Sequence, residues 1–139
     1  MVDKKIITPE GLAKPVGYNH AVAVSGGTTI YIAGQVAMDA EGDIVAPGDI
    51  VGQFERALGN LELVVRASGG HLTDIVKLNL YVTDVAGYRA RAKAIGKVYR
   101  AYFGTYYPAM TLVGVSELFY PEAMVEMDAV AVTSTDTTT

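Results

Sequence analysis

Cysteine is absent from this chain of 139 residues. Its absence excludes disulfide bonds, a thiolate nucleophile and cysteine-ligated metals, and it suits a reducing compartment. The two histidines, His20 and His71, show no metal-ligand spacing, so no metal site is predicted. His71 follows a glycine pair in a predicted turn, where a solvated role is expected. His20 opens a strand two residues after Tyr18, which leaves both a structural and a pocket role open.

Positive charge is also scarce. The chain has 11 Lys and Arg against 15 Asp and Glu, which gives a net charge of −4. A protein that binds nucleic acid would be expected to carry a concentrated basic face. The predicted second helix carries one row of cations, which is either a solvated face or a surface for acidic ligands: Arg89, Lys93, Lys97 and Arg100. We therefore expect no nucleic-acid partner.

Long apolar runs are missing as well. No window approaches the ~20 apolar residues of a membrane span, and the lysines near the N-terminus precede no apolar stretch typical of a secretory signal. A cytoplasmic protein without a membrane partner is expected. The glycine pairs Gly26-Gly27 and Gly69-Gly70 lack the phosphate-loop and dinucleotide-binding patterns, and no Gly-x-Ser-x-Gly elbow occurs. No nucleotide cofactor and no serine nucleophile are predicted.

Hydrophobic residues make up 50% of the chain and charged residues 19%. This is more apolar material than a monomer of this size needs, and the surplus indicates a subunit interface. The length predicts a single domain over residues 1–133. The small polar tail at 134–139 is predicted to be disordered.

Hydrophobic periodicity predicts six strands and two helices. The strands are expected near 4–8, 20–25, 28–35, 75–83, 110–115 and 125–132, and the helices near 50–68 and 85–103. Gly26-Gly27 predicts a hairpin between the second and third strands. Two helices can then cover one face of a single mixed sheet in an α+β fold, which leaves the other face for another subunit.

Two carboxylates stand out in the last strand. Glu126 and Asp128 are two residues apart and share one face, with ~7 Å between their Cα atoms. Neighbouring carboxylates push their pKa values apart and could act as a general acid and base. They could equally be ordinary ion-paired or rim residues, and the pattern leaves both readings open.

Four short motifs in this order resemble the YjgF/RidA family: Ala33-Gly34-Gln35, Asn60-Leu61, Ile75-Val76-Lys77 and the strand from Val125 to Val132. The resemblance covers about residues 6–132. It implies a fold like that of chorismate mutase, assembled as a homotrimer whose sheets line a central barrel. Three clefts between subunits would then bind small molecules.

The best-known members of this family hydrolyse reactive imines and enamines to a 2-keto acid and ammonia, without a metal or cofactor. The resemblance implies catalytic roles for Tyr18, which would contact the substrate, and Glu126, which would orient water. Where the family has an arginine that holds the substrate carboxylate, this chain has Met110, which cannot donate a hydrogen bond.

A cleft without that arginine is expected to favour a larger or less charged ligand. Its predicted substrate-binding residues are Met110, Leu112, Phe119, Glu117 and His20. The predicted function is hydrolysis of an imine, an enamine or a related small carbonyl compound. The alternative is a non-catalytic trimer that binds a metabolite or acts as a chaperone, which would bind ligand without turnover.

Overall fold

A computed structural model describes residues 2–134. Within this range the elements follow the order β1 (Asp3–Ile7), β2 (Ala21–Ser25), β3 (Thr28–Val36), α1 (Ile50–Ala67), β4 (Ile75–Val82), α2 (Val85–Ala90), α3 (Ala92–Phe103), β5 (Ala109–Gly114) and β6 (Val125–Thr133). A 3-10 turn, Leu72–Asp74, leads into β4. Residues 135–139 of the tail that was predicted to be disordered lie outside the described range.

Four strands form the main sheet in the order β3-β6-β4-β5. β4 and β5 run parallel, whereas β6 is antiparallel to both of its neighbours. A parallel pair needs a crossover, and α2 and α3 provide it. The alternate residues of β6 that point toward the helices are buried: Val125, Met127, Ala129 and Ala131. The α+β class and the mixed sheet are confirmed.

The helices cover one face of this sheet, as their periodicity predicted. The apolar stripe of α1 is buried: Phe54, Ala57, Leu58, Leu61 and Val65. The Asp49 side chain caps α1 by accepting a hydrogen bond from the Gly52 N–H. α3 packs beside α1 and buries Ile95, Tyr99 and Phe103.

The predicted second helix is two helices in the structure. The chain leaves helical geometry at Arg91, which separates α2 from α3. α2 has no fully buried residue, whereas α3 buries three. Val85 and Tyr88 of α2 pack only partly buried against the core, and a periodicity that spans both helices does not reveal the break at Arg91.

The predicted hairpin between the second and third strands is wrong. β2 pairs with β1 in a separate two-stranded ribbon, and β3 pairs with β6. Gly26 and Gly27 do turn with positive φ. Long-range contacts nevertheless hold the ribbon across the end of the sheet where β4 and β5 begin, because Lys4 Nζ donates to the Thr73 carbonyl and Asn19 bridges to Ala109.

The other face of the main sheet carries no helix among the described residues. Strand alternation places Tyr31, Val113 and Val130 on it, and Tyr31 is 81% exposed. Polar side chains interrupt this apolar surface, for Lys77 Nζ donates to Thr111 Oγ1 at 2.8 Å. Burial of this face in a homotrimer remains a prediction.

Candidate active site

Glu126 lies near the start of β6, on the sheet face turned away from the helices, beside Tyr81 of β4. A β-bulge in β3 takes Gly34 out of regular register with β6. The Glu126 carboxylate packs directly over this glycine, so closely that a Cβ atom at position 34 would overlap Oε2. The Ala33-Gly34-Gln35 motif therefore makes room for Glu126.

Asp128 occupies the same face but is fully engaged. Its two oxygens accept hydrogen bonds from Asn79 Nδ2 at 2.8 Å and from Tyr81 Oη at 3.0 Å. The bond from Tyr81 raises the pKa of the Tyr81 hydroxyl. By contrast, within residues 2–134 no hydrogen bond to the Glu126 side chain is present. The two carboxylates thus differ, and only Glu126 has oxygens free for another group.

Met110 points the opposite way. It pairs with Leu78 of β4, whose side chain is buried under the helices, so Met110 and Glu126 occupy opposite faces of one sheet. Leu112, two residues on, shares the helix side and packs against the core. Met110 and Glu126 therefore do not converge within one chain, and a site that contains both needs two copies.

Tyr18 and His20 stand together in the loop before β2. Their rings make an edge contact at 5.3 Å between centroids, and His20 Nε2 lies 2.9 Å from the Ala13 carbonyl oxygen. The Asn19 N–H donates to the Pro108 carbonyl at 3.0 Å. Asn19 therefore holds this loop near the start of β5, while His20 braces it.

Glu117 and Phe119 belong to a different part of the molecule. Both line a depression of about 390 Å³ beyond the carboxyl ends of β4 and β5, together with Thr83 and Met124. Phe119 is 88% exposed. Within one chain these two residues do not meet Met110, although the sequence placed all three in one cleft.

Two amide side chains fix the backbone segments around the site. Neither was among the predicted site residues. Asn60 Nδ2 donates to the carbonyls of Val36 and Met38 at 3.0 and 2.9 Å, which fixes the end of β3. Gln53 is fully buried and bonds the segment that leads into β6. It occupies the apolar stripe of α1, and a polar residue in such a stripe is the signal that could have found it.

The helix side of Met110 opens into a pocket rich in tyrosine. Burial raises the pKa of Tyr88, which lines this pocket, to about 12, so its phenol stays protonated at neutral pH. Burial also raises the pKa of Tyr99.

The chain has relatives among known proteins. A family model described as endoribonuclease L-PSP matches residues 10–133. The chain belongs to this family. It is 36% identical to a RutC family protein of Pyrococcus abyssi over 92% of this chain and 96% of that protein. It is 33% identical to a 2-iminobutanoate/2-iminopropanoate deaminase of Dermatophagoides farinae over 95% and 98% of the two chains.

A solved structure supports the same assignment. The Rid family protein YyfB from Yersinia pestis superposes with a TM-score of 0.84 at 34% identity, over 94% of this chain and 98% of that one. The resemblance to the RidA family and the fold that it implied are both confirmed. No helix among residues 2–134 is both long and apolar enough to cross a membrane.

Proposed function

We propose that this RidA-family protein hydrolyses an imine, an enamine or a related small carbonyl compound in a cleft between two copies of the chain. The observation that carries the proposal is Glu126, a half-buried carboxylate over Gly34 with no hydrogen-bond partner among the described residues. The deaminase name of a relative 33% identical supports the reaction class.

The proposed reaction needs a water molecule poised at an electrophilic carbon. Glu126 would accept a proton from that water as it adds to the C=N carbon and would pass it to the nitrogen. The hydroxyl proton would then follow to the nitrogen as the C=O bond forms and ammonia leaves. Most of the rate would come from alignment of water and substrate, for which an oriented carboxylate suffices. Tyr18 would contact the substrate from the second copy.

Two chains are needed because Glu126 and Met110 face opposite sides of one sheet. The start of β5, with Tyr18 beside it, would be one wall of the cleft. The Gly34 and Glu126 surface of the neighbouring copy would be the other. Glu117, Phe119 and Leu112 stay assigned to ligand contact only as predictions from the sequence.

Ammonia release from amino-acid-derived imines generated in situ tests this function. We expect acceleration by the wild-type protein and a loss of at least a hundredfold in Glu126→Gln, which removes the base and keeps the shape. Asp128→Asn is the matched control, since Asp128 is engaged by Asn79 and Tyr81. It should keep activity within about threefold while it still assembles as the wild type does.

Two other outcomes would contradict the proposed hydrolysis. Ligand-dependent rises in melting temperature without ammonia release from any imine would favour the non-catalytic binding protein instead. Equal losses in both variants would remove Glu126 from its proposed role.

A further inference from the structure

A pocket of about 400 Å³ lies between the helices and the sheet, on the helix side of Met110. We call it the tyrosine pocket, and the residues that matter here are Val16, Tyr88, Tyr99, Arg100, Tyr107 and Met110. Its floor is closed because Leu78 and Leu80 are buried. Val16 is 86% exposed and Arg100 is exposed, so these two mark the mouth. The volume suits an organic molecule of moderate size.

The wall of the tyrosine pocket is rigid. Tyr99 stacks between Phe103 and Tyr107, with ring centroids 4.4 and 4.9 Å apart. Its hydroxyl donates to the Tyr106 carbonyl at 2.8 Å. Asn19 Nδ2 donates to the Tyr107 carbonyl and holds the loop that carries Val16 over the opening. A pre-formed wall lowers the entropy lost when a ligand binds.

One donor inside the pocket lacks a protein partner. The Tyr88 hydroxyl makes no hydrogen bond to any described residue. Yet no fully buried side-chain nitrogen or oxygen in the described part of the chain lacks a partner. The Tyr88 hydroxyl is therefore open to the pocket or to solvent, where it can donate to a ligand oxygen.

A cation stands at the mouth. Arg100 folds back along α3 over Gly96, so that a Cβ atom on Gly96 would lie 3.2 Å from Arg100 Nη1. The adjoining surface is basic and holds Arg91, Lys93 and Lys97. Among residues 2–134 the ion pair within 4 Å joins Arg66 to Glu62, so no described carboxylate pairs with Arg100.

We propose that the tyrosine pocket binds a monocarboxylate with an aromatic body, and that Arg100 supplies the cation that position 110 lacks. The apolar body would lie against Met110 and the tyrosine stack, while the carboxylate meets the guanidinium at the mouth. The inference rests on the proposed function in that Met110 belongs to both sites. It assigns to this family member an aromatic 2-imino or 2-keto acid in place of a short aliphatic one.

Calorimetric titration with 3-phenylpropanoate, 3-phenylpropanamide and propanoate tests the proposal. These probes share the reaction's carbon skeleton but cannot be hydrolysed at an imine. We expect 3-phenylpropanoate to bind the wild type at least tenfold more tightly than either the neutral amide or the short acid. Arg100→Gln should weaken 3-phenylpropanoate roughly tenfold or more, since a charge-assisted hydrogen bond is lost.

Lys97→Gln is the matched control, because Lys97 lies on the outer basic surface and is not part of the pocket wall. It should change the dissociation constant less than threefold, since salt screens exposed charges. Both side chains are at the surface, so neither variant should fail to fold. Equal effects of the two variants, equal binding of acid and amide, or no binding of 3-phenylpropanoate would each overturn the proposal.

A different set of results would contradict the proposed hydrolysis. Binding of 3-phenylpropanoate involves no proton transfer, so it reports on the tyrosine pocket without turnover. Absence of ammonia release with intact, Arg100-dependent binding would reject the hydrolysis alone. Turnover of imines with no Arg100 dependence would reject the pocket assignment alone.

Discussion

At the scale of single residues, Gly34 and Glu126 form one unit. The glycine is needed because the Glu126 carboxylate occupies the place where a Cβ atom would stand. Gly34 is not in the left-handed region, so an alanine there meets a side-chain overlap without backbone strain. The overlapping atom is the end of a flexible side chain, which can rotate away at little cost in stability.

We therefore expect Gly34→Ala to lower imine turnover at least tenfold while the melting temperature changes by less than about 3 °C. Gly59→Ala is the control, because the nearest atom to its added Cβ is Tyr102 Oη at 3.7 Å. It should keep full turnover and gain slightly in stability, as alanine favours a helix interior. Steady-state rates and thermal melts check both. Unchanged turnover in Gly34→Ala would show that the position of the Glu126 carboxylate over Gly34 does not matter for the reaction.

Tyr88 gives a prediction about pH. Burial raises the pKa of its phenol to about 12, whereas an unfolded tyrosine titrates near ~10. Between these values the folded state binds more protons than the unfolded state, so the free energy of unfolding falls as pH rises. The contribution is fully present below about pH 10 and is lost by about pH 12.

Tyr88→Phe should therefore flatten the decline in stability between about pH 10 and pH 12, as measured by urea unfolding at stepped pH. At pH 8, where the phenol is protonated in both states, the variant and the wild type should differ by less than about 1 kcal/mol. Parallel curves across the whole alkaline range would show that Tyr88 is not the group that titrates.

At the scale of elements, Gln53 joins α1 to the segment before β6. Its Nε2 donates to the carbonyls of Ala46 and Glu122 at 3.3 and 2.9 Å, and its Oε1 accepts from the Met124 N–H at 2.8 Å. The side chain is fully buried. Loss of the amide would remove hydrogen bonds from three part-buried backbone groups.

Gln53→Leu should lower the free energy of unfolding by about 3 kcal/mol, since each unsatisfied buried group costs about 1 to 3 kcal/mol. Glu55→Gln changes an exposed position of the same helix and should stay within about 0.5 kcal/mol. Urea titrations of both variants measure the difference. A Gln53→Leu protein as stable as the control would show that these bonds contribute nothing net.

The elements that the sequence predicted well are those whose burial has a simple period. The α1 stripe and the alternation of β6 emerge from local spacing alone, and the alternation correctly put Glu126 and Asp128 on one face. The hairpin failed because Lys4 and Asn19 hold the ribbon elsewhere, and these contacts join residues far apart in sequence. The partners of Asp128 needed the register between β4 and β6, which no local pattern contains.

The site residues stay predictions, and the structure shows only where each of them lies. The family motif predicts a role for Glu126, and Met110 stands where the resemblance implies an arginine. The two residues face opposite sides of the sheet. This follows from the pairing of β4 with both β5 and β6. Arg100 could not be placed from its helical row, because the row does not reveal that Gly96 leaves room for the guanidinium to reach the pocket mouth.

At the scale of the whole molecule, the sheet face opposite the helices is the surface expected to mediate assembly. Tyr31 is 81% exposed and pairs with Val130, while the polar bonds among Asn79, Tyr81 and Asp128 lie beside them on the same face. An exposed apolar surface of this kind on a sheet is expected to be covered by another copy. A cleft that joins Glu126 to a second chain's Met110 needs the same association.

Sedimentation should therefore give three times the chain mass of 14.7 kDa. Tyr31→Asp should shift the protein to a smaller species and abolish turnover, because burial of a carboxylate near Asp128 is costly. The folding of one chain should survive, since Tyr31 is mostly exposed within it. Ala101→Asp places the same charge on the exposed side of α3 and should leave the assembly intact. If the wild type sediments as a monomer that still hydrolyses imines, the two-chain cleft is wrong, and Glu126 must act within a single chain.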